Sequence, residues 1–159
     1  IHERLVGSEM CIRDRATPAY LAQHGTPQHP SELLQHNCLT LSSDASQTRG
    51  WAFKVPPSDS SEGPEVVHLR PNGPLDCSDG QVLHSWCLAG MGIAWRSTWE
   101  VENDIQSGQL VEVLADFAAP PNGIYGVFPQ RKHLPLRLRL WIDFLKHHYS
   151  LPATWQSAP

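Results

Sequence analysis

From Ala16 onward, apolar and polar positions fall into short runs punctuated by Gly, Pro and Ser. Thr17 followed by Pro18 predicts a capped helix over "TPAYLAQH", with Gly25 to end it. "HPSELLQHN" predicts a second helix, opened by Pro30 and Ser31. "CLTLS" (Cys38 to Ser42) alternates as a strand and runs into the polar loop "SDASQTRG". "WAFKV" (Trp51 to Val55) is the next strand. "PPSDSSEGPE" cannot sustain a ladder, so "VVHLRP" becomes the return strand of a hairpin with a long connection.

The segment "SDGQVLHSWCLAGMGIAWRSTWEVENDIQSGQLVEVL" predicts helix, strand, helix, strand. Ser78 or Asp79 caps the first helix, which places Val82, Leu83, Trp86 and Cys87 on one side. Gly90 ends it and "GIAW" follows as a buried strand. Ser97 or Thr98 caps the second helix, Gly108 ends it, and "QLVEVL" alternates as a half-exposed strand. Alternating helices and strands with Gly-marked turns indicate an α/β fold with a largely parallel sheet. Beyond "PPNG" (Pro120 to Gly123), "IYGVFP" reads as a strand. "LPLRLRLWIDFLKHHY" reads as a helix with Leu138, Trp141, Ile142 and Leu145 on one face, and "SLPATWQSAP" as a loose tail.

The stretch before Ala16 follows neither pattern. "VGSEMCIRDR" has no helical stripe, no strand alternation over any useful length, and an isolated cysteine between charges.

Composition narrows the function classes. The chain has 159 residues and a net charge of −4, and it contains no basic stripe of the kind that grips nucleic-acid phosphates. "RKHLPLRLR" (Arg131 to Arg139) leads into an apolar helix and reads as a solvated face. Six tryptophans suggest a base-stacking platform, but the acidic balance argues against one and for packing roles. The four cysteines, Cys11, Cys38, Cys77 and Cys87, have no metal-ligand spacing, and Ile1 to Arg15 lacks a continuous apolar run. The expectation is a cytoplasmic chain without a cofactor or membrane span. His84 and Cys87 share a helix face, yet two ligands do not make a metal site. Cys77 or Cys87 with His68 or His133 could be drawn as a nucleophile pair. It lacks a nucleophile turn and a third member, so no enzyme activity is expected.

"ATPAYLAQHGTPQHPSELLQHNCL", "WAF", "LAGMGIAW", "SGQLVEVL" and "YGVFPQRKHLPLRLRLWIDFL" occur in that order. Together they resemble the C-terminal effector-binding part of LysR-type transcriptional regulators, from Ala16 to about Tyr149. The resemblance implies a type 2 periplasmic-binding-protein-like fold, with two α/β lobes around a small-molecule cleft. On that reading residues 16–120 are the second lobe and residues 121–150 a strand and helix returning to the first. Residues 151–159 are a tail. The DNA-binding domain, the linker helix and half of lobe one lie outside the chain. Residues 1–15 belong to no domain, and "VGSEMCIRDR" resembles a translated sequencing-adapter tail at the truncated end of a gene predicted from environmental DNA. The implied partners are a small-molecule effector, an organic or aromatic acid, and DNA only through the absent domain. The parent is implied to be a homo-oligomer. The alternative is a type 2 solute-binding protein of a transport system, which export would mark with a signal peptide or a lipid-attachment cysteine.

Ligands of open α/β sheets bind outside the carboxyl ends of strands, where helix N-termini aim free N–H groups. Three places qualify. Ser42 and Ser43, with Ser46, offer hydroxyls after the strand from Cys38, and Asp44 would repel an anion unless a cation or proton intervenes. These residues could equally hydrogen-bond their own turn. Gly80 and Gln81 begin a helix, where an Asp79 cap would already satisfy their amides. Tyr125 or Phe128 on the crossover strand could wall the cleft, although an aromatic there is more often core.

Overall fold

The computed structural model describes residues 2–10, 12–42, 50–56, 63–119, 122–127 and 135–150. Two compact units emerge, one of residues 12–120 and one formed by residues 1–11 with 121–159.

The larger unit is built on a five-stranded sheet of strands β2 (Ile12–Ala16), β3 (Cys38–Leu41), β6 (Asp76–Cys77), β7 (Ile93–Ser97) and β8 (Val111–Val113). Their order is β6-β3-β7-β2-β8. β3 runs parallel to both β6 and β7, whereas β2 is antiparallel to β7 and β8. The sheet is therefore mixed, not largely parallel. β2 enters against the direction of its neighbours and completes the ladder on both sides. Ile12 to Arg15 carry no strand pattern, yet their backbone N–H and C=O groups are used by two neighbouring strands. Backbone pairing is nearly blind to side-chain type, so the ladder forms and the misfit is left to the side chains.

Helix α1 (Pro18–His24) begins as predicted: the Thr17 hydroxyl accepts from the Tyr20 N–H at 3.2 Å, and Gly25 ends the helix at φ 85°. Pro30–Gln35 is a 3₁₀ helix instead of an α-helix, with the His29 ring as its cap. Helices α2 (Gly80–Leu88) and α3 (Thr98–Gln106) lie where the capping residues indicate. β4 (Trp51–Val55) and β5 (Glu65–Leu69) form the predicted hairpin as a separate two-stranded antiparallel sheet.

Two apolar cores result. One holds Ala16, Tyr20, Leu33, Cys38, Trp51, Phe53, Ile93 and Val113. The other, under α2 and α3, holds Leu39, Leu83, Cys87, Ala94, Val101 and Leu110. Of the predicted α2 face, Leu83 and Cys87 are buried while Val82 is exposed.

In the smaller unit β1 (His2–Met10) pairs antiparallel with β9 (Asn122–Val127), and α4 (Leu136–Ser150) packs against β1. Ile142 is buried, but Trp141, assigned to the same apolar face, is 57% exposed, and Leu136, Leu140 and Phe144 are exposed as well. The tail at 151–159 lies outside the described residues.

Candidate functional site

The carboxyl ends of the three parallel strands, β3, β6 and β7, share one edge of the sheet, and α2 starts there. Ser42 leaves β3 at this edge: its N–H donates to the Cys77 carbonyl at 2.7 Å and its hydroxyl donates to the Asp76 carboxylate. The Cys77 thiol donates to the Asp79 carbonyl at 3.0 Å. Asp79 caps α2, its Oδ1 accepting from the N–H groups of Gln81 at 2.7 Å and Val82 at 3.2 Å. One chain of hydrogen bonds thus runs from the end of β3 to the start of α2.

Gly80, the first residue of α2, has the Arg96 guanidinium against its Cα. A Cβ placed there would stand 2.5 Å from Arg96 Nη2. Only glycine leaves that space. A cation is disfavoured at the positive end of a helix. Glu100 offsets this: it lies in the first turn of α3 and meets Arg96 Nη2 at 2.7 Å. One turn further along, His84 of α2 meets Asp104 of α3 at 3.0 Å. Beneath this seam the buried Arg15 guanidinium donates to the Arg96 carbonyl at 2.6 Å and to the Thr98 hydroxyl at 3.1 Å. Desolvation lowers the Arg15 pKa.

Of the sequence-predicted residues, the structure brings Ser42 and Gly80 to this one edge. Ser43 and Asp44 lie outside the described residues. Tyr125 belongs to the other unit, opposite Arg4 in the β1–β9 pair. Asp76, Arg96 and Glu100 were not singled out from the sequence. The signal for Arg96 is its place in "IAWRS": two residues after Ala94, it shares that residue's face at the end of a buried strand.

Chemically, the edge offers hydroxyl, carboxylate, amide and guanidinium groups on a braced frame. Burial pushes the Cys87 thiol up to about 11, so it stays protonated near neutral pH and is a poor nucleophile. Its Sγ donates instead to the Arg15 carbonyl. Among the described residues, no three His, Cys, Asp or Glu side chains gather to hold a metal, and no helix is long and apolar enough to cross a membrane.

Residues 15–150 match the LysR substrate binding domain. The chain belongs to the LysR substrate-binding-domain family. It is 35% identical over 135 residues to the HTH-type transcriptional regulator DmlR of Escherichia coli K12, covering 85% of this chain and 41% of that protein. It is 39% identical over 134 residues to the regulator CrgA of Neisseria meningitidis serogroup C, covering 82% and 41% respectively. Among solved structures, the CrgA regulatory domain superposes with a TM-score of 0.68 at 33% identity, over 92% of this chain and 68% of that one. Full-length AphB of Vibrio cholerae gives 0.72 at 28% identity, over 94% and 48%. These LysR regulatory domains have the type 2 periplasmic-binding-like α/β fold, and this chain shares it. The LysR chain spans about two fifths of the length of the curated relatives it matches. Those relatives are transcriptional regulators, which does not favour the solute-transport alternative.

Proposed function

We propose that this LysR domain is the effector-sensing part of a DNA-binding transcriptional regulator, and that it works by binding, without catalysis. The observation that carries the reading is the family match over residues 15–150, joined to a strand-end edge where Ser42, Gly80 and Arg96 are held in place. The effector is a small organic or aromatic acid, whose carboxylate suits serine hydroxyls with a guanidinium nearby. Ser42, Ser43 and Gly80 are its proposed contacts, with Asp44 joining them through an intervening cation or proton. Effector binding favours one of two arrangements of the paired domains in a cytoplasmic homo-oligomer, and DNA is held by a domain outside this chain.

The test is made in the restored full-length regulator, by calorimetric titration with succinate and with benzoate. Ser42→Ala and Ser43→Ala are expected to weaken binding of the responding acid about tenfold, the loss of one hydrogen bond to a charged group. Unchanged affinity in both variants discards the site.

The domain assignment extends this reading: residues 16–120 form the second lobe and 121–150 return to the first. Residues 1–15 belong to no domain of the parent and derive from a translated adapter tail, so that β2, most of which they supply, is this chain's substitute for a native strand. In support, the family match begins at Arg15. Sequencing of the genomic locus upstream of codon 16 tests it, and an uninterrupted native reading frame through "VGSEMCIRDR" rejects it.

A further inference from the structure

Asp14 lies on an interior strand of the larger unit's sheet. It sits on β2 with β7 on one side and β8 on the other, its direct partners being Trp95 and Val113. Only 3% of the residue is exposed, and its Oδ1 has no hydrogen-bond partner. Strand alternation decides what surrounds the carboxyl group. Asp14 and Ala16 point to one face, that of the core holding Cys38, Ile93 and Val113, and Arg13 and Arg15 point to the other. Glu112, directly opposite Arg15, also lies on the far face, where Arg13 meets it at 3.1 Å. The charged and titratable groups acting on Asp14 are therefore Arg13 and Arg15 on its own strand and Glu112 on β8, all across the sheet. Cys38 on β3 lies on its own side. The core on that side holds the Cys38 thiol, the Tyr20 phenol of α1, whose hydroxyl is engaged by His36 and the Asn37 N–H, and apolar neighbours, including Trp95, which stacks on Trp51 with ring centroids 6.1 Å apart.

We infer that position 14 is an apolar position of this sheet that here holds a carboxyl group, and that ionisation of this group opens β2 from between β7 and β8. Beyond a hydrogen bond to its own backbone the carboxylate has no partner on that side, so burial disfavours its ionised form, and the group either stays protonated or leaves for water. Desolvation first of all pushes Asp14 up to about 8 from the ordinary 3.8. The sign follows. Below about pH 4 the group is protonated in folded and unfolded chains alike. As pH rises towards 8 the unfolded chain ionises while the folded chain resists, so stability falls progressively and levels off above 8. Opening also reaches the candidate site. Arg15 on the same strand donates to the Arg96 carbonyl and the Thr98 hydroxyl, so loss of β2 removes the brace under α3.

The test is thermal unfolding of the chain and two variants, Asp14→Asn and Asp14→Val, from about pH 5 to about pH 9, a range that starts above the unfolded-state titration and runs through the folded-state one. The parent chain is expected to lose on the order of 10 °C in Tm across that range. Asp14→Asn removes that loss, and Asp14→Val raises Tm at neutral and alkaline pH. An unaltered pH slope in Asp14→Asn, or a Tm for Asp14→Val below that of the parent at pH 8, overturns the inference. Carbon-13 carboxyl NMR of the unmutated chain reads the group directly, the Asp14 signal being the one missing from Asp14→Asn. Titration near pH 8 supports the inference, and titration near 4 overturns it.

Discussion

Gly80 and Arg96 form an arrangement in which the smallest residue makes room for one of the largest. A methyl group at position 80 meets the far end of a flexible side chain, which can swing away at little cost. Gly80→Ala is thus expected to lower stability by less than about 1 kcal/mol while dislodging the guanidinium from Glu100. A double-mutant cycle by urea denaturation shows this. Glu100→Gln costs about 1 kcal/mol in the parent chain, as for a largely buried charged pair, and close to nothing in Gly80→Ala. A residue-scale reading of the sequence finds Gly80 as a helix start but not its neighbour. Arg96 follows an apolar run and precedes a helix cap, so it reads as the end of a strand. What it touches is fixed by residues sixteen before and four after it, and neither spacing is a local signal in a strand.

At the scale of elements, α2 depends on one cap and one packed face. Asp79→Ala is expected to cost about 1 kcal/mol through the lost N–H acceptor. Leu83→Ala costs about 3 kcal/mol, because Leu83 lies buried between α2 and the sheet. Urea titration of both variants checks the ranking, and an equal or reversed order speaks against α2 being held mainly by its apolar face. The elements that carry local chemistry were legible in the sequence: the Thr17–Pro18 start, the Asp79 cap, and the alternation of Trp51 to Val55. β6 was not, since Asp76–Cys77 is two residues long and pairs only because β3 lies beside it. β2 was not either, for the opposite reason. Its side chains argue against a strand, and tertiary pairing overrides them. The 3₁₀ form of Pro30–Gln35 reflects a six-residue segment too short to gain much from α-helical bonding.

For the whole molecule, charge and coverage point the same way. The chain carries a net charge of −4 and spans about two fifths of its curated relatives. Alone, it is expected not to retard duplex DNA in a gel shift at physiological salt. A sequence-dependent, salt-robust shift would place DNA recognition within residues 1–159 and overturn the proposed division of labour. The exposed Leu136, Leu140, Trp141 and Phe144 recur along α4 at steps that keep them near one another, forming one apolar stripe.

The contrast among the thiols has a practical side. Cys38 and Cys87 are buried, with burial pushing the first to about 12 and the second to about 11, so neither offers thiolate to an alkylating reagent at neutral pH. Cys77 is half-buried at the end of β6, its sulfur 3.0 Å from the carbonyl that precedes Gly80. Once Cys11 is replaced by serine, a maleimide dye would be directed to Cys77. The chain thus supplies its own attachment point for watching the strand-end edge in solution.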